Sequence, residues 1–147
     1  MTTNMGTVSL TAGAVLHDSG LMVAATVHLA YNPFDPHAVT LTLVRGPWVK
    51  DSASWTFAAG LFDEVLTNAQ AGDQLHGLVW MERSRRGQID VWLRHPTLER
   101  LFLVQVHEVD VDRFTARTAD VVPHVRRHQL AMLALDGLAN ELLGGAA

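Results

Sequence analysis

The sequence predicts an α+β fold: a single domain of about seven mainly antiparallel strands with two or three helices. Three observations carry this expectation. Apolar residues recur with a period of two in several separate stretches, turn-forming residues punctuate those stretches at short intervals, and only a few segments show helical spacing instead. At 147 residues the chain has the length of one domain, which buries about two-thirds of the surface its unfolded form exposes. The domain is expected to span residues 1–147, with 1–7 as a flexible N-terminus.

The first strand is read from Val8, Leu10, Ala12, Ala14 and Leu16, which alternate with Ser9, Thr11 and Gly13. His17-Asp18-Ser19-Gly20 is turn-rich, and Leu21, Val23, Ala25, Val27 and Leu29 alternate beyond it, so the two runs form a hairpin. In Tyr31-Asn32-Pro33-Phe34-Asp35-Pro36-His37-Ala38-Val39, each proline pushes its predecessor away from helical dihedrals, giving a kinked connection. Val39, Leu41 and Leu43 share one face of a third strand that ends at Gly46-Pro47. Trp55 and Phe57 mark a short fourth strand, and Leu61, Phe62, Val65 and Leu66 a short helix to about Asn68. Ala71-Gly72-Asp73 reads as punctuation. A second hairpin is expected from Leu75–Glu82 and Gln88–Arg94 around the loop Arg83-Ser84-Arg85-Arg86-Gly87, followed by a strand Leu101–Val109. Asp110–Thr118 suits a short helix that Val122-Pro123 interrupts. The last element, about Arg126–Leu143, reads as a helix closing at Gly144-Gly145. The pattern contains no internal repeat and no second domain.

Composition removes several kinds of chemistry. With no cysteine, the chain has no disulfides, thiolate nucleophile or iron–sulfur ligands. Its 11 basic and 15 acidic side chains give a net charge of -4, so any nucleic-acid site has to be local. Met1–Thr7 lacks the basic and apolar regions of a secretory signal, and no apolar run approaches the ~18 residues that span a bilayer. A cytoplasmic protein is expected, without direct membrane insertion.

Residue types suited to catalysis are present without the spacing that makes them work. His124 and His128 stand four apart, as in two-histidine metal pairs, but no Glu follows His124 and two arginines lie between them. His17, Asp18 and Ser19 are sequence neighbours, which fits a hairpin turn better than a triad. Glu108, Asp110 and Asp112 read as a solvated edge or the first turn of a helix. No phosphate-cradling glycine loop and no nucleophile elbow occurs. No catalytic, cofactor or metal residue is assigned, and the chain is read as not an enzyme.

Surfaces are the more informative feature. Alternation in the second hairpin puts Val79, Met81, Ile89, Val91 and Leu93 inward, which leaves Trp80 and Trp92 on the face expected to meet water. Such a face is covered either by the same chain or by another. In the C-terminal element Leu130, Leu133, Leu135, Leu138 and Leu142 give an apolar sector wider than one sheet face requires, and a homo-oligomer is expected. Arg83, Arg85 and Arg86, near the two tryptophans, offer an alternative: single-stranded nucleic acid held by charge and stacking, against which stands the ordinary solvated loop.

Several segments in order resemble the SsgA-like family of actinomycete sporulation and cell-division proteins. Tyr31–Val39 resembles its Tyr-Asp-x-x-Asp-Pro-Tyr-Ala-Val segment, Trp55-Thr56-Phe57-Ala58 its Trp-x-Phe-Ala, and Phe114-Thr115-Ala116-Arg117-Thr118 with Val122-Pro123 its Phe-x-x-Arg-Thr before Val-Pro. Asn32, His37 and Ala59 depart from the family pattern. The resemblance, to an SsgB-type or related paralogue, implies a Whirly-like architecture, a trimer among possible assemblies, and a non-enzymatic regulator at division septa. Its implied partners are the tubulin-like division protein FtsZ and SsgA-like paralogues. Within that frame Tyr31, Phe34 and His37 stand either on a plain connector or on a rigid turn that presents them to a partner.

Overall fold

A computed structural model describes residues 7–44, 52–72, 77–85, 87–95 and 99–121, and structural statements refer to these. The sheet has eight antiparallel strands in the order β4-β3-β2-β1-β8-β7-β6-β5. In chain order they are β1 (Val8–Asp18), β2 (Leu21–Tyr31), β3 (Ala38–Val44), β4 (Ser52–Ala58), β5 (Gln70–Gly72), β6 (Val79–Arg85), β7 (Gln88–Arg94) and β8 (Leu101–His107). Helix α1 (Leu61–Asn68) separates β4 from β5, and α2 is described over 108–121.

The order resolves into two four-stranded meanders, β1 to β4 and β5 to β8, each built from local antiparallel pairings. They meet along a short β1–β8 seam, where Ala14–His17 pair with Val106–Leu103. Side-chain bonds extend that seam. Arg100 Nη2 donates to both carboxylate oxygens of Asp18 at 2.8 and 2.9 Å, and His17 Nε2 donates to Gln105 Oε1 at 2.7 Å.

The sheet curls into a half-barrel, and the period-two pattern fills its concave side. Val27, Leu29, Leu41, Val79, Met81, Ile89, Val91, Leu93 and Val104 are all buried there. Three edge-to-face aromatic contacts tie the layers: Trp55 on Phe102 at 6.1 Å, Phe57 on Phe62 at 5.4 Å, and Phe62 on Phe114 at 6.0 Å. Phe62 is thus the joint between sheet, α1 and α2. Trp55 also crosses the concavity, its indole N–H donating to the Arg94 carbonyl at 2.9 Å.

The elements expected up to residue 121 are present, with shifted bounds and one additional strand. Ala71-Gly72, read as punctuation, lies in the additional strand, β5, because Ala71 is buried opposite Met81 while Gly72 faces Trp80. The expected loop Arg83–Gly87 is shorter than five residues. β6 runs to Arg85 through an irregularity between Glu82 and Arg85, and Gly87 adopts φ +81° beside it. β8 stops at His107 rather than Val109: Glu108 begins α2, its backbone N–H donating to the Gly87 carbonyl at 2.9 Å. Glu108, Asp110 and Asp112 therefore occupy the first turns of a helix, where the macrodipole favours acids. Val122-Pro123, His124, His128 and the expected helix with Leu130, Leu133, Leu135, Leu138 and Leu142 lie outside the described residues.

Candidate interaction surfaces

The convex face of the sheet divides by meander. Over β3 and β4 it carries hydroxyls that bond in pairs, Thr40 with Thr56 at 3.1 Å and Thr42 with Ser54 at 2.8 Å, while Thr11 of β1 bonds His28 of β2 at 2.9 Å. Over β6, β7 and β8 it turns apolar. Trp80 lies directly opposite Trp92, which lies opposite Leu103, and Arg94 lies opposite Leu101 in the neighbouring row. Gly77, Leu78, Trp80, Trp92, Arg94 and Leu101 line a shallow groove of about 390 Å³. Trp80 is 44% exposed and Leu101 53%, while Trp92 is half-buried. The alternation argument is correct in its direction, and the described part of the chain leaves this face open.

Gly72 explains how Trp80 is seated. A Cβ at Gly72 would lie 2.5 Å from the six-membered ring of Trp80, so the indole rests on bare backbone of the short β5 strand. One end of the groove is cationic: the Arg94 guanidinium has no partner among the described residues. Beside the groove runs a polar row. Gln105 Nε2 donates to Asp90 Oδ1 at 3.2 Å, and Gln88 Nε2 approaches the same oxygen at 3.5 Å. These amides, continued by His17, satisfy a carboxylate that is buried although it sits on the outer face.

The three arginines of the second hairpin separate. Arg83 is tied inward, its guanidinium donating to the Leu66 carbonyl near the C-terminus of α1 and pairing with Glu108 at 3.0 Å. Its backbone N–H donates to the Ala69 carbonyl at 2.8 Å, and its buried Nε has no partner among the described residues. Helix α1 has no basic residue in its last turn, and Arg83 supplies that charge from β6. Arg85 is exposed, and Arg86 lies outside the described residues. A second groove of about 590 Å³ includes Leu66, Arg83, His107, Glu108 and Asp112, and two of its charges, Arg83 and Glu108, pair with each other between α1 and α2.

The β2–β3 connection is rigid and presents one aromatic. Asn32 Oδ1 accepts from the Phe34 N–H at 3.0 Å, the Asp35 N–H donates to the Asn32 carbonyl at 2.9 Å, and the Ala38 N–H to the Asp35 carbonyl at 3.3 Å. Phe34 is 75% exposed at the top of these turns, and His37 is also exposed. Tyr31 belongs to the core instead, with 1% exposure, because it continues the inward register of β2. Among the described residues its hydroxyl has no hydrogen-bond partner, and burial first, then the charge of Asp35, raises its pKa above the ordinary 10.0.

One exposed group had no clear warning in the pattern. Leu21, Met22 and Val23 are 68%, 67% and 42% exposed at the tip of the β1–β2 hairpin, where alternation suggested a half-buried strand. Ser19 at φ 53° and Gly20 at φ 80° form the two-residue turn, which places the tip beyond β3.

Residues 25–126, more than half of the chain, match the family described as Streptomyces sporulation and cell division protein, SsgA. The chain belongs to the SsgA family. Among solved structures, SsgB of Streptomyces coelicolor, described in connection with longitudinal cell division during sporulation, superposes with a TM-score of 0.69 at 27% identity over 86% of this chain and 99% of that one. The SsgA-like sporulation-specific cell division protein of Thermobifida fusca has the same fold, with a TM-score of 0.72 at 18% identity over 95% and 99% of the two chains. No curated relative matches the sequence. No helix among the described residues is long and apolar enough to cross a membrane, and no three of their His, Asp or Glu side chains gather as metal ligands.

Proposed function

We propose that this SsgA-family chain is a non-enzymatic adaptor of sporulation-specific cell division, acting in the cytoplasm at septa and helping to position the FtsZ machinery through protein contacts. Family membership supports the division role. The observation that carries the contact role is the groove between Leu78, Trp80, Trp92 and Leu101 with the Arg94 guanidinium, without a partner among the described residues, at its end, an aromatic and arginine combination typical of binding hot spots. Phe34, held out by three consecutive turn hydrogen bonds, is a second anchor that loses little freedom on binding. Self-association into a homo-oligomer, with a trimer as one form, belongs to this reading.

Affinity capture from sporulating cells tests it, comparing the natural chain with Trp80→Ser and with Phe34→Ala, each first shown to be folded by circular dichroism. Recovery of division-ring proteins or SsgA-like paralogues, lost in either variant together with septal localisation, supports the adaptor role. Unchanged recovery in both variants overturns the assigned surfaces. Recovery dominated by nucleic acid overturns the role itself in favour of single-strand binding. The engagement of Arg83 with Leu66 and Glu108 weighs against that last outcome, since it removes one of the three arginines single-strand binding would use.

A further inference from the structure

Two charges on the outer face of the second meander have no counterion among the described residues, and they stand on one strand on either side of Trp92. Asp90 is buried there, yet its hydrogen-bond partners are the neutral amides of Gln105 and Gln88, and Glu82 lies directly opposite it on β6. The ion pairs among the described residues, Arg83 with Glu108 and Arg100 with Asp18, involve neither acid. A buried carboxylate facing a second one is normally balanced by a cation. Arg94, on the far side of Trp92, is exposed and has no anion among the described residues. From Asp90 to Arg94 the strand covers ~13 Å, with the exposed Trp80 and the half-buried Trp92 between them. The complement of this face is a segment that carries a cation, an apolar stretch and an anion, in that order and over about that length.

The chain itself contains such a segment. Arg126, Leu130, Leu133 and Asp136 lie outside the described residues, in the stretch that the sequence reads as a helix. At ~100° per residue these four fall within a sector of ~120°, and Arg126 and Asp136 stand ~15 Å apart along the axis. Leu135, Leu138 and Leu142 fall on the opposite side, so a helix of this sequence has two apolar sides and needs two partners. We infer that the outer groove of one copy receives the 126–136 segment of a second copy. Arg126 meets the Asp90 and Glu82 carboxylates, Leu130 and Leu133 cover Trp80 and Trp92, and Asp136 meets Arg94. The inference rests on the self-association proposed above and names its contact.

Reach assigns the segment to a second copy rather than to the same chain. α2 leads away from the groove: the Glu108 N–H bonds Gly87 beside the β6–β7 turn, whereas Arg117, further along the helix, donates to the Ser9 carbonyl near the start of β1. Asp90 lies across Gln105 from Val15, which is ~20 Å along β1 from Ser9, and it sits on the face of the sheet opposite α2. From Val121 to Arg126 the backbone covers at most ~17 Å, and α2 first continues past Arg117 to residue 121, so the chain's own Arg126 falls short. The contact is head-to-tail, joining two different surfaces, and it repeats around a ring when its rotation closes.

Because the chain has no cysteine, single replacements report the contact. Leu101, exposed opposite Arg94 at the end of the groove, faces Gly137 of the second copy in this arrangement. Mixing Leu101→Cys chains with Gly137→Cys chains under mild oxidation is expected to give the mixed dimer at least tenfold faster than pairing Gly137→Cys with Ser54→Cys, an exposed site on the first meander. Adding Arg94→Glu to the Leu101→Cys chain is expected to slow the reaction at least tenfold, and adding Asp136→Lys to the Gly137→Cys chain to restore it, with circular dichroism unchanged throughout. A mixed dimer no faster than the Ser54→Cys control, or one indifferent to the charge exchange, overturns the inference. A chain carrying both cysteines tells the two sources of the segment apart at low micromolar concentration. Crosslinked oligomers are expected, and a crosslinked monomer overturns the inference in favour of the chain's own tail. Sedimentation of the natural chain separates the two levels. An oligomer without the crosslink between Leu101→Cys and Gly137→Cys refutes this contact and keeps self-association, whereas a monomer with no crosslink at high micromolar concentration refutes both.

Discussion

Replacing Arg83 by Met asks whether this arginine is a structural tie or a contact residue. The substitution keeps most of the aliphatic stem and removes two attachments, the donation to the Leu66 carbonyl near the α1 C-terminus and the 3.0 Å pair with Glu108. A cation at a helix C-terminus contributes about 0.5–1 kcal/mol. The ion pair contributes about 0.5 kcal/mol more, because its side chains retain 32% and 29% of their exposure and the pair is partly screened. The same change relieves the unpartnered buried Nε, returning up to about 1 kcal/mol. The net expectation is a small loss, about 0.5–1 kcal/mol, or about 1–4 °C in Tm for a chain of this size. Size alone is therefore a weak diagnostic, and the sharper readout is a double-mutant cycle with Glu108→Gln in urea. The coupling should be about 0.5 kcal/mol at low salt and should shrink at 1 M salt. A coupling of zero, or an Arg83→Met variant of unchanged stability that loses affinity for a labelled single-stranded oligonucleotide, would refute the structural assignment.

Other expectations follow from single features. Phe62→Ala removes the ring shared by Phe57 and Phe114 and should cost about 3–5 kcal/mol in the urea midpoint, with α1 and α2 loosening together in hydrogen exchange. Tyr31, the one tyrosine, is read by ultraviolet absorbance titration without overlap from a second phenol. Because its folded pKa is raised, the folded state holds the proton longer than the unfolded state. Its contribution is thus fully present below pH 10 and is lost as pH climbs from there toward the folded value, and Tyr31→Phe should flatten that alkaline slope while leaving stability at neutral pH equal or slightly higher. Gly72→Ala forces the Trp80 ring off its seat and should shift the Trp80 indole N–H resonance and cost about 1 kcal/mol, leaving the Trp92 resonance much less affected.

The strands were legible wherever one face is buried against the core and the other is wet, because period-two alternation then has a single consistent reading. Val79 to Met81 with Ile89 to Leu93, and Val39 to Leu43, are of this kind. β5 was missed because three residues cannot display a period, and its glycine is explained only by a tryptophan eight positions away. The end of β8 was placed two residues late because Val109 continues an apolar pattern, while the helix start that displaces it is set by a hydrogen bond from Glu108 to Gly87. The surface aromatics were legible by the same alternation. The division of labour among the arginines was not: residues two apart on a strand share a face by rule, and the irregularity between Glu82 and Arg85 lets Arg83 turn inward while Arg85 stays in solvent. Tyr31 reads from sequence as part of the connection, either plain or presented to a partner, because the neighbouring prolines suggest that the connection begins at it, whereas β2 includes it and buries it.

The seam between β1 and β8 sets the order in which this molecule can be completed. Each meander is assembled from neighbours in sequence, but the seam joins residues such as His17 and Gln105, separated by 88 positions. Contacts of that separation carry the largest loop-closure cost and form late. During synthesis at ~5–20 residues per second, β1 waits several seconds at least for its partner, with the apolar side of β1 to β4 uncovered by α1, α2 or the second ribbon. A chaperone that holds the nascent first ribbon would raise the yield of this chain, and a circular permutant opened between β4 and α1, which brings Gln105 and His17 from 88 positions apart to about 59, should fold faster than the natural order.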